Sequence, residues 1–297
     1  MNQGELKVLH RQQALLAMLQ QVGGEASTLQ IMKWAFLLSQ ETPSHGGKTF
    51  YQFIPYRYGP YSFTLNRETD ALVRNGFIEK TGQSSWQLTS YGHGQQNNLP
   101  KSIVQDVASI AQQYGQLSGA ALIDKVYAKY PWFTVNSDLP DRRHVERPVA
   151  DLAIYTAGYE GKTVDEFLNL LMQSGICRLI DVRRNPISRR YGFHKSTLQK
   201  ICNSLDIDYQ HLPGLGISSA SRADLHSVAS YMSLFEDYRE DLPNRGEDLK
   251  AVQSLLRSKP SALVCMEADP QYCHRNVLAN YLTGIIDLPI QHLGHEP

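Results

Sequence analysis

The sequence lacks the features of membrane and secreted proteins. Among its 297 residues, no window approaches the roughly 18 apolar residues of a membrane-spanning helix, and the amino terminus has no signal-peptide core. It also lacks an excess of charge, since Lys and Arg number 29 and Asp and Glu number 29. These absences predict a cytoplasmic globular protein without a membrane partner, and they exclude nucleic-acid binding driven by overall charge.

Cysteine is scarce, and none occurs before residue 177. The four that are present are Cys177, Cys202, Cys265 and Cys273. In a reducing compartment such residues are free thiols or ligands more often than disulfides. The sequence therefore predicts no structural crosslink.

The length and a change of pattern predict two domains. Residues 1–135 show helical periodicity and one hairpin, whereas residues 136–150 are polar and contain proline, as linkers do. The predicted helices are 6–21, 29–39, 62–75, 103–114 and 118–130, and the predicted hairpin joins 76–80 to 86–89. Gly59-Pro60 is predicted to form a turn before the third helix.

Residues 151–297 alternate short apolar strands with helices. The predicted strands are 152–156, 178–182, 208–212, 262–265 and 288–293, and the predicted helices are 164–172, 195–205, 225–240, 247–257 and 276–282. This order predicts an α/β domain with a mainly parallel sheet and flanking helices, preceded by a mostly helical domain.

Helices followed by a β-hairpin indicate a winged helix in the first domain. The segments 32–38, 58–62 and 72–78 resemble the winged-helix domains of Panacea-type and phage-associated antitoxin-like proteins. The resemblance implies docking to DNA or to a protein partner. We predict that Trp34, Phe36 and Phe53 are core. The basic residues are either phosphate contacts or a solvated face; they are Arg57, Arg67, Arg74 and Lys80.

Polar loops follow several predicted strands of the second domain. They are residues 158–161, 181–190, 213–216 and 266–275. Ligands of open parallel sheets bind outside the carboxyl ends of the strands, where such loops meet. We therefore expect these four loops to lie along one rim.

The same loops carry a family resemblance. The blocks Tyr155–Tyr159, Asp181–Arg189, Leu212–Gly216 and Cys265–Arg275 resemble those of the domain of unknown function 488 family, over residues 152–293. The activity of that family is unsettled, so the resemblance implies a type of domain and no particular reaction.

The side chains of these loops indicate an anion site. Guanidinium groups bind phosphate or carboxylate through paired hydrogen bonds, and the start of the 276–282 helix favours an anion. Gly214 and Gly216 either allow a ligand to approach the backbone or simply turn the chain. The predicted ligand-binding residues are Tyr159, Asp181, Arg183, Arg184, Ser188, Arg189, Gly214, Gly216, His274 and Arg275.

The last loop also contains groups for catalysis or for a metal ion. Glu267 beside Cys273 is a candidate general acid or base. Cys265, Cys273 and His274 are potential metal ligands, but eight positions separate the two cysteines, whereas closed zinc sites have short paired spacings. A metal site is therefore the less favoured alternative, and the cofactor is left open.

Two functions follow from these features. The first is binding of a nucleotide or nucleic acid by the α/β domain, with or without its conversion, while the winged helix docks to DNA or a protein. The alternative is a non-catalytic transcriptional or antitoxin-like regulator whose α/β domain binds an effector.

Overall fold

The computed structural model describes residues 8–95, 98–143, 145–218, 221 and 228–295. The chain divides into two compact units, residues 1–146 and 147–297, and the division falls inside the segment predicted to be a linker. Part of that segment belongs to the first unit. Ser137 is fully buried, and its hydroxyl lies 2.8 Å from the hydroxyl of Tyr127.

The first unit contains five helices and five strands within its described residues. They are α1 (His10–Gln21), β1 (Glu25–Ser27), α2 (Thr28–Glu41), β2 (Ile54–Tyr56), β3 (Gly59–Tyr61), α3 (Phe63–Arg74), β4 (Ile78–Thr81), β5 (Ser85–Leu88), α4 (Lys101–Tyr114) and α5 (Gly119–Lys129). The predicted hairpin is confirmed, since β4 and β5 pair antiparallel with Ile78 opposite Leu88. The sheet order is β1-β5-β4, so a third strand, which the sequence did not indicate, joins the hairpin.

The predicted turn at Gly59-Pro60 is wrong in position. Both residues lie in β3, which pairs antiparallel with β2, so the turn falls at Arg57 and Tyr58. Strands of three residues are too short to show an alternating pattern, which is why the sequence missed them.

Caps and apolar faces explain the helices of this unit. The Ser27 hydroxyl accepts a hydrogen bond from the Gln30 amide at 3.2 Å, and the Gln30 side chain accepts one from the Ser27 amide at 3.0 Å. This reciprocal capping box begins α2. Trp34, Phe36 and Phe53 are buried, as predicted.

The second unit is an α/β unit with a five-stranded parallel sheet. Its elements are β6 (Ile154–Gly158), α6 (Val164–Gln173), β7 (Arg178–Asp181), α7 (Lys195–Asn203), β8 (Asp208–His211), α8 (Val228–Asp241), α9 (Gly246–Ser258), β9 (Ser261–Cys265), α10 (His274–Thr283) and β10 (Ile290–Leu293). The strand order is β10-β6-β9-β7-β8, and all four pairings are parallel. Of the helix predicted over 225–240, residues 225–227 lie outside the described part of the chain.

Both faces of this sheet are covered. Ile154, Ile180 and Leu263 point to one face, where they join a core with buried side chains of α8, α9 and α10. The alternate residues Leu179, Ala262 and Val264 point to the other face and are also fully buried. Among the described residues, no helix is long and apolar enough to cross a bilayer.

The first unit contains a buried lysine in its core. Lys33, on α2, is 2 % exposed, and its ammonium donates a hydrogen bond to the Pro60 carbonyl at 2.9 Å. Burial lowers the pKa of Lys33 from 10.5 to about 7. The folded state therefore binds fewer protons than the unfolded state between these two pH values, and stability rises with pH across that window.

We expect Lys33→Met to stabilise the first unit at pH 7. Between pH 7 and pH 9 the unfolding free energy of the wild type should rise by about 2 kcal/mol relative to the variant. All three tryptophans lie before residue 147, so urea titration followed by tryptophan fluorescence reports this unit. Lys48→Met, at an exposed lysine, is the matched control, and equal pH dependence in all three proteins would contradict the expectation.

Candidate functional site

The strand order brings three loops of the second unit together. Strand β9 lies between β6 and β7, with Cys265 opposite Gly158 and Val264 opposite Asp181. The loops after β6 and β9 are directly joined, because the Glu160 amide donates to the Met266 carbonyl at 2.8 Å. The predicted loops after these strands therefore leave one edge of the sheet side by side.

A buried ion pair lies at the end of β7. The Asp181 carboxylate is fully buried. One of its oxygens accepts from the Arg183 Nε at 2.8 Å, and the other accepts from an Arg183 terminal nitrogen at 2.6 Å. The second oxygen also accepts from the Tyr209 hydroxyl at 2.6 Å. Asp181 is thus saturated by protein groups.

The remaining donors of Arg183 are also engaged. One terminal nitrogen donates to the Tyr159 hydroxyl at 2.9 Å and to the Phe193 carbonyl at 3.0 Å. Burial lowers the pKa of Arg183, but the hydrogen bonds and charge of Asp181 outweigh it and raise the pKa overall. Three predicted ligand-binding residues, Tyr159, Asp181 and Arg183, therefore bind one another and hold the loop after β7.

The exposed cations of the site lie farther along this loop. Arg184, Arg189 and Arg190 are exposed. Arg184 donates to the Pro213 carbonyl and Arg190 to the Tyr159 carbonyl, each at 3.3 Å. Ser188 caps the local turn by accepting from the Arg190 amide at 3.1 Å. Arg190 was not among the predicted ligand residues, although the sequence placed it in the same arginine run.

The two predicted glycines pack against protein. A β-carbon on Gly214 would lie 1.7 Å from an Asp248 carboxylate oxygen, and one on Gly216 would lie 2.1 Å from the Arg184 backbone nitrogen. At Gly216 the Arg184 backbone leaves no room for a side chain, whereas at Gly214 a side chain would displace the Asp248 carboxylate of α9. Gly216 thus allows the loops after β7 and β8 to pack closely, and Gly214 allows the second of these loops to pack on α9.

Four polar side chains cluster at the end of β9. The thiols of Cys265 and Cys273 donate to the same Glu267 oxygen, at 3.1 and 3.0 Å. The His274 Nδ1 lies 3.7 Å from the Cys265 sulfur. Burial, followed by the neighbouring Cys265, raises the pKa of Cys273 well above its usual value, so this thiol is protonated and a weak nucleophile at neutral pH.

His274 and Arg275 are positioned by backbone carbonyls. The His274 Nε2 lies 3.1 Å from the Val182 carbonyl, and the Arg275 guanidinium donates to the carbonyls of Glu267 and Ala268. Arg275 is 1 % exposed, and its Nε has no hydrogen-bond partner within the described residues. Arg275 thus holds the loop after β9 from inside.

A cavity of about 590 Å³ opens beside the arginine loop. Its polar lining includes two arginines and three aspartates, which are Arg184, Arg245, Asp237, Asp241 and Asp248. Arg245 is already paired with Asp241 at 2.8 Å. The cavity wall therefore offers carboxylates as well as cations, and its hydrogen-bonding character is mixed.

We expect Asp181→Asn to destabilise the second unit by about 3–5 kcal/mol, because it leaves the buried Arg183 cation without its counter-charge. Glu247→Gln is the matched control. Glu247 forms a fully exposed pair with Lys250, and its loss should cost about 0–1 kcal/mol. Native-state hydrogen exchange of β7 and β9 measures both, and similar losses in the two variants would contradict a special role for Asp181.

Comparison with known families gives one match. The model of the family described as "Domain of unknown function DUF488" matches residues 163–282, which is less than half of the chain. The comparisons with curated proteins and with solved structures found no match. The winged-helix resemblance of the first unit stays a prediction. The resemblance of the second unit to the DUF488 family is confirmed over residues 163–282.

Proposed function

We propose that the carboxyl edge of the second unit's sheet binds an anionic ligand of nucleotide or nucleic-acid type, while the first unit docks to DNA or to a protein partner. The observation that supports this is the loop after β7. Its buried arginine is neutralised by Asp181, and three further arginines stand exposed beyond it. The surplus positive charge is therefore concentrated at the rim.

The exposed arginines suit phosphate. Each guanidinium carries donors in a planar fork that matches two phosphate oxygens. Arg184 and Arg190 each donate one hydrogen bond to a backbone carbonyl. Among the described residues, no carboxylate lies within ion-pair distance of either side chain. A phosphate group at this rim gains charge-assisted hydrogen bonds without breaking an existing ion pair.

The neighbouring cavity suits the uncharged parts of a nucleotide. Arg184 belongs to both the rim and the cavity wall. Beyond it, the carboxylates of Asp237 and Asp248 disfavour a phosphate inside the cavity but accept hydrogen bonds from sugar hydroxyls or base amino groups. The apolar side chains of Ile217 and Leu234 line the same wall. The site thus changes from a cationic rim to a cavity lined by carboxylates and apolar side chains. A ligand with a phosphate at one end and a hydroxyl-bearing or aromatic part at the other fits this arrangement.

Conversion of the ligand would involve the side chains at the end of β9. Glu267 is partly exposed, whereas Cys273 is buried. Because the Cys273 thiol is protonated, Glu267 is the group that accepts or donates a proton in this proposal. Cys273 contributes by donating a hydrogen bond to the Glu267 carboxylate.

We expect the double variant Arg184→Ala/Arg189→Ala to bind a labelled adenosine triphosphate and a short single-stranded oligonucleotide about tenfold less tightly than the wild type. Its affinity should also fall less steeply with salt, because fewer phosphate contacts release fewer counterions. Lys250→Ala/Arg257→Ala is the control, since both residues lie on exposed positions of α9. Equal binding by the two double variants would refute the rim as the anion site.

A second candidate function is a non-catalytic regulator that contacts DNA through the first unit. The observation in its favour is that Arg74, at the end of α3, and Lys80, on β4, are both exposed. A helix and hairpin with exposed cations can contact phosphates of a duplex.

Charge reversal tests which unit contacts duplex DNA. In a gel-shift titration of the full chain with duplex DNA, Arg74→Glu/Lys80→Glu should abolish binding if the first unit docks to DNA, whereas Arg184→Ala/Arg189→Ala should leave that binding unchanged. The opposite result would assign duplex binding to the second unit, and retention in both variants would leave neither patch as the DNA contact.

A further inference from the structure

The cluster at the end of β9 has the composition of a metal site. The ligand atoms of Cys265, Cys273 and His274 all lie within 4.8 Å of one another, and all three residues are buried. The Cys265 sulfur and the His274 Nδ1 are 3.7 Å apart. In a tetrahedral zinc site, bonds of about 2.3 Å to sulfur and 2.0–2.1 Å to nitrogen separate two such ligands by about 3.6 Å. The spacing therefore needs little adjustment to hold an ion.

The imidazole is oriented as a metal ligand. Its Nε2 lies 3.1 Å from the Val182 carbonyl, which accepts and cannot donate. The proton must therefore be on Nε2, and the lone pair is on Nδ1, on the side of the cysteine sulfurs. A ring nitrogen that donates to a backbone carbonyl while the other nitrogen faces thiols is the usual outer-shell arrangement of a metal-binding histidine.

The chain brings the two cysteines together by folding back. Cys265 ends β9, and Cys273 directly precedes α10. Between them, Pro270–Tyr272 form a 3-10 turn, and the Asp269 side chain accepts from the Gln271 amide at 2.8 Å. Two cysteines that are eight positions apart in the sequence thus lie close together in space. Their long spacing therefore does not argue against a metal site.

We propose that Cys265, Cys273 and His274 bind a Zn²⁺ ion, and that Glu267 hydrogen-bonds a water in its fourth position. This inference does not rest on the proposed anion site. Borderline-soft Zn²⁺ matches a ligand set of two thiolates and one imidazole. On binding, both thiols release their protons to solvent, so the two thiolate charges balance the charge of the ion.

The position of Glu267 defines its part in the site. Its carboxylate oxygen contacts both sulfurs, and the residue is the partly exposed member of the cluster. Three protein ligands leave one tetrahedral position for water. The Arg275 guanidinium donates to the Glu267 backbone carbonyl and so fixes the loop that carries this carboxylate.

The test measures bound metal in the purified full chain. The protein is reduced, dialysed against a small molar excess of Zn²⁺ and freed of unbound ion. Elemental analysis should then give one Zn²⁺ per chain. Cys265→Ser, Cys273→Ser and His274→Gln should lose it, whereas Cys177→Ser, at a half-buried cysteine of β7's amino end, should retain it. Glu267→Gln should also retain it, and loss as complete as in Cys273→Ser would overturn the role given to Glu267.

Cobalt titration of the wild type tests the metal site without depending on the folding of any variant. Uptake of one Co²⁺ with the absorption of a tetrahedral ion and a thiolate-to-cobalt charge-transfer band is expected. Reduced wild-type protein that takes up neither Zn²⁺ nor Co²⁺ would overturn the proposal. Metal uptake that persists in a folded Cys265→Ser/Cys273→Ser variant would also overturn it. The same holds for protein that is purified with a Cys265–Cys273 disulfide and binds no metal after the disulfide is reduced.

Discussion

The insertion of β9 between β6 and β7 is the constraint on which the site depends. Because the three strands are parallel, their carboxyl ends reach the same edge, and the loops that follow must share a small space. The loops meet closely enough that a β-carbon on Gly158 would lie 1.8 Å from the Glu267 carbonyl oxygen. That contact places Glu267 beside the end of β6, and the 3.1 Å distance from the His274 Nε2 to the Val182 carbonyl places His274 beside the end of β7.

The buried pair of Asp181 and Arg183 divides the arginines of the next loop by role. Removing two charges from water is costly, and the pair tolerates it because each group is satisfied by several hydrogen bonds. A saturated pair has little left to offer a ligand. Arg184, Arg189 and Arg190, which follow in the same loop, are exposed to solvent. Arg183 thus has a structural role, and the exposed arginines of the same run are the ones that we propose for ligand binding.

The two proposals concern different depths of the same edge. The anion site uses exposed guanidinium groups at the rim, whereas the metal site uses buried thiols and an imidazole below it. They meet at Glu267, which reaches from the buried cluster towards solvent. A metal-bound water beside Glu267 would then supply the reactive group, because Cys273 would serve as a ligand of the ion.

The sequence by itself determined the order of the helices and of the longer strands, the α/β character of the second unit, the start of α2 and the loops at the sheet edge. Those features depend on periodicity and on residues close together in the chain, such as Ser27 and Gln30. Only the tertiary structure decided that Arg183 binds Asp181 and Tyr159 rather than solvent, and that Cys265, Cys273 and His274 meet. The reason is that strand order and loop packing set these distances, and neither is encoded in any single stretch of sequence.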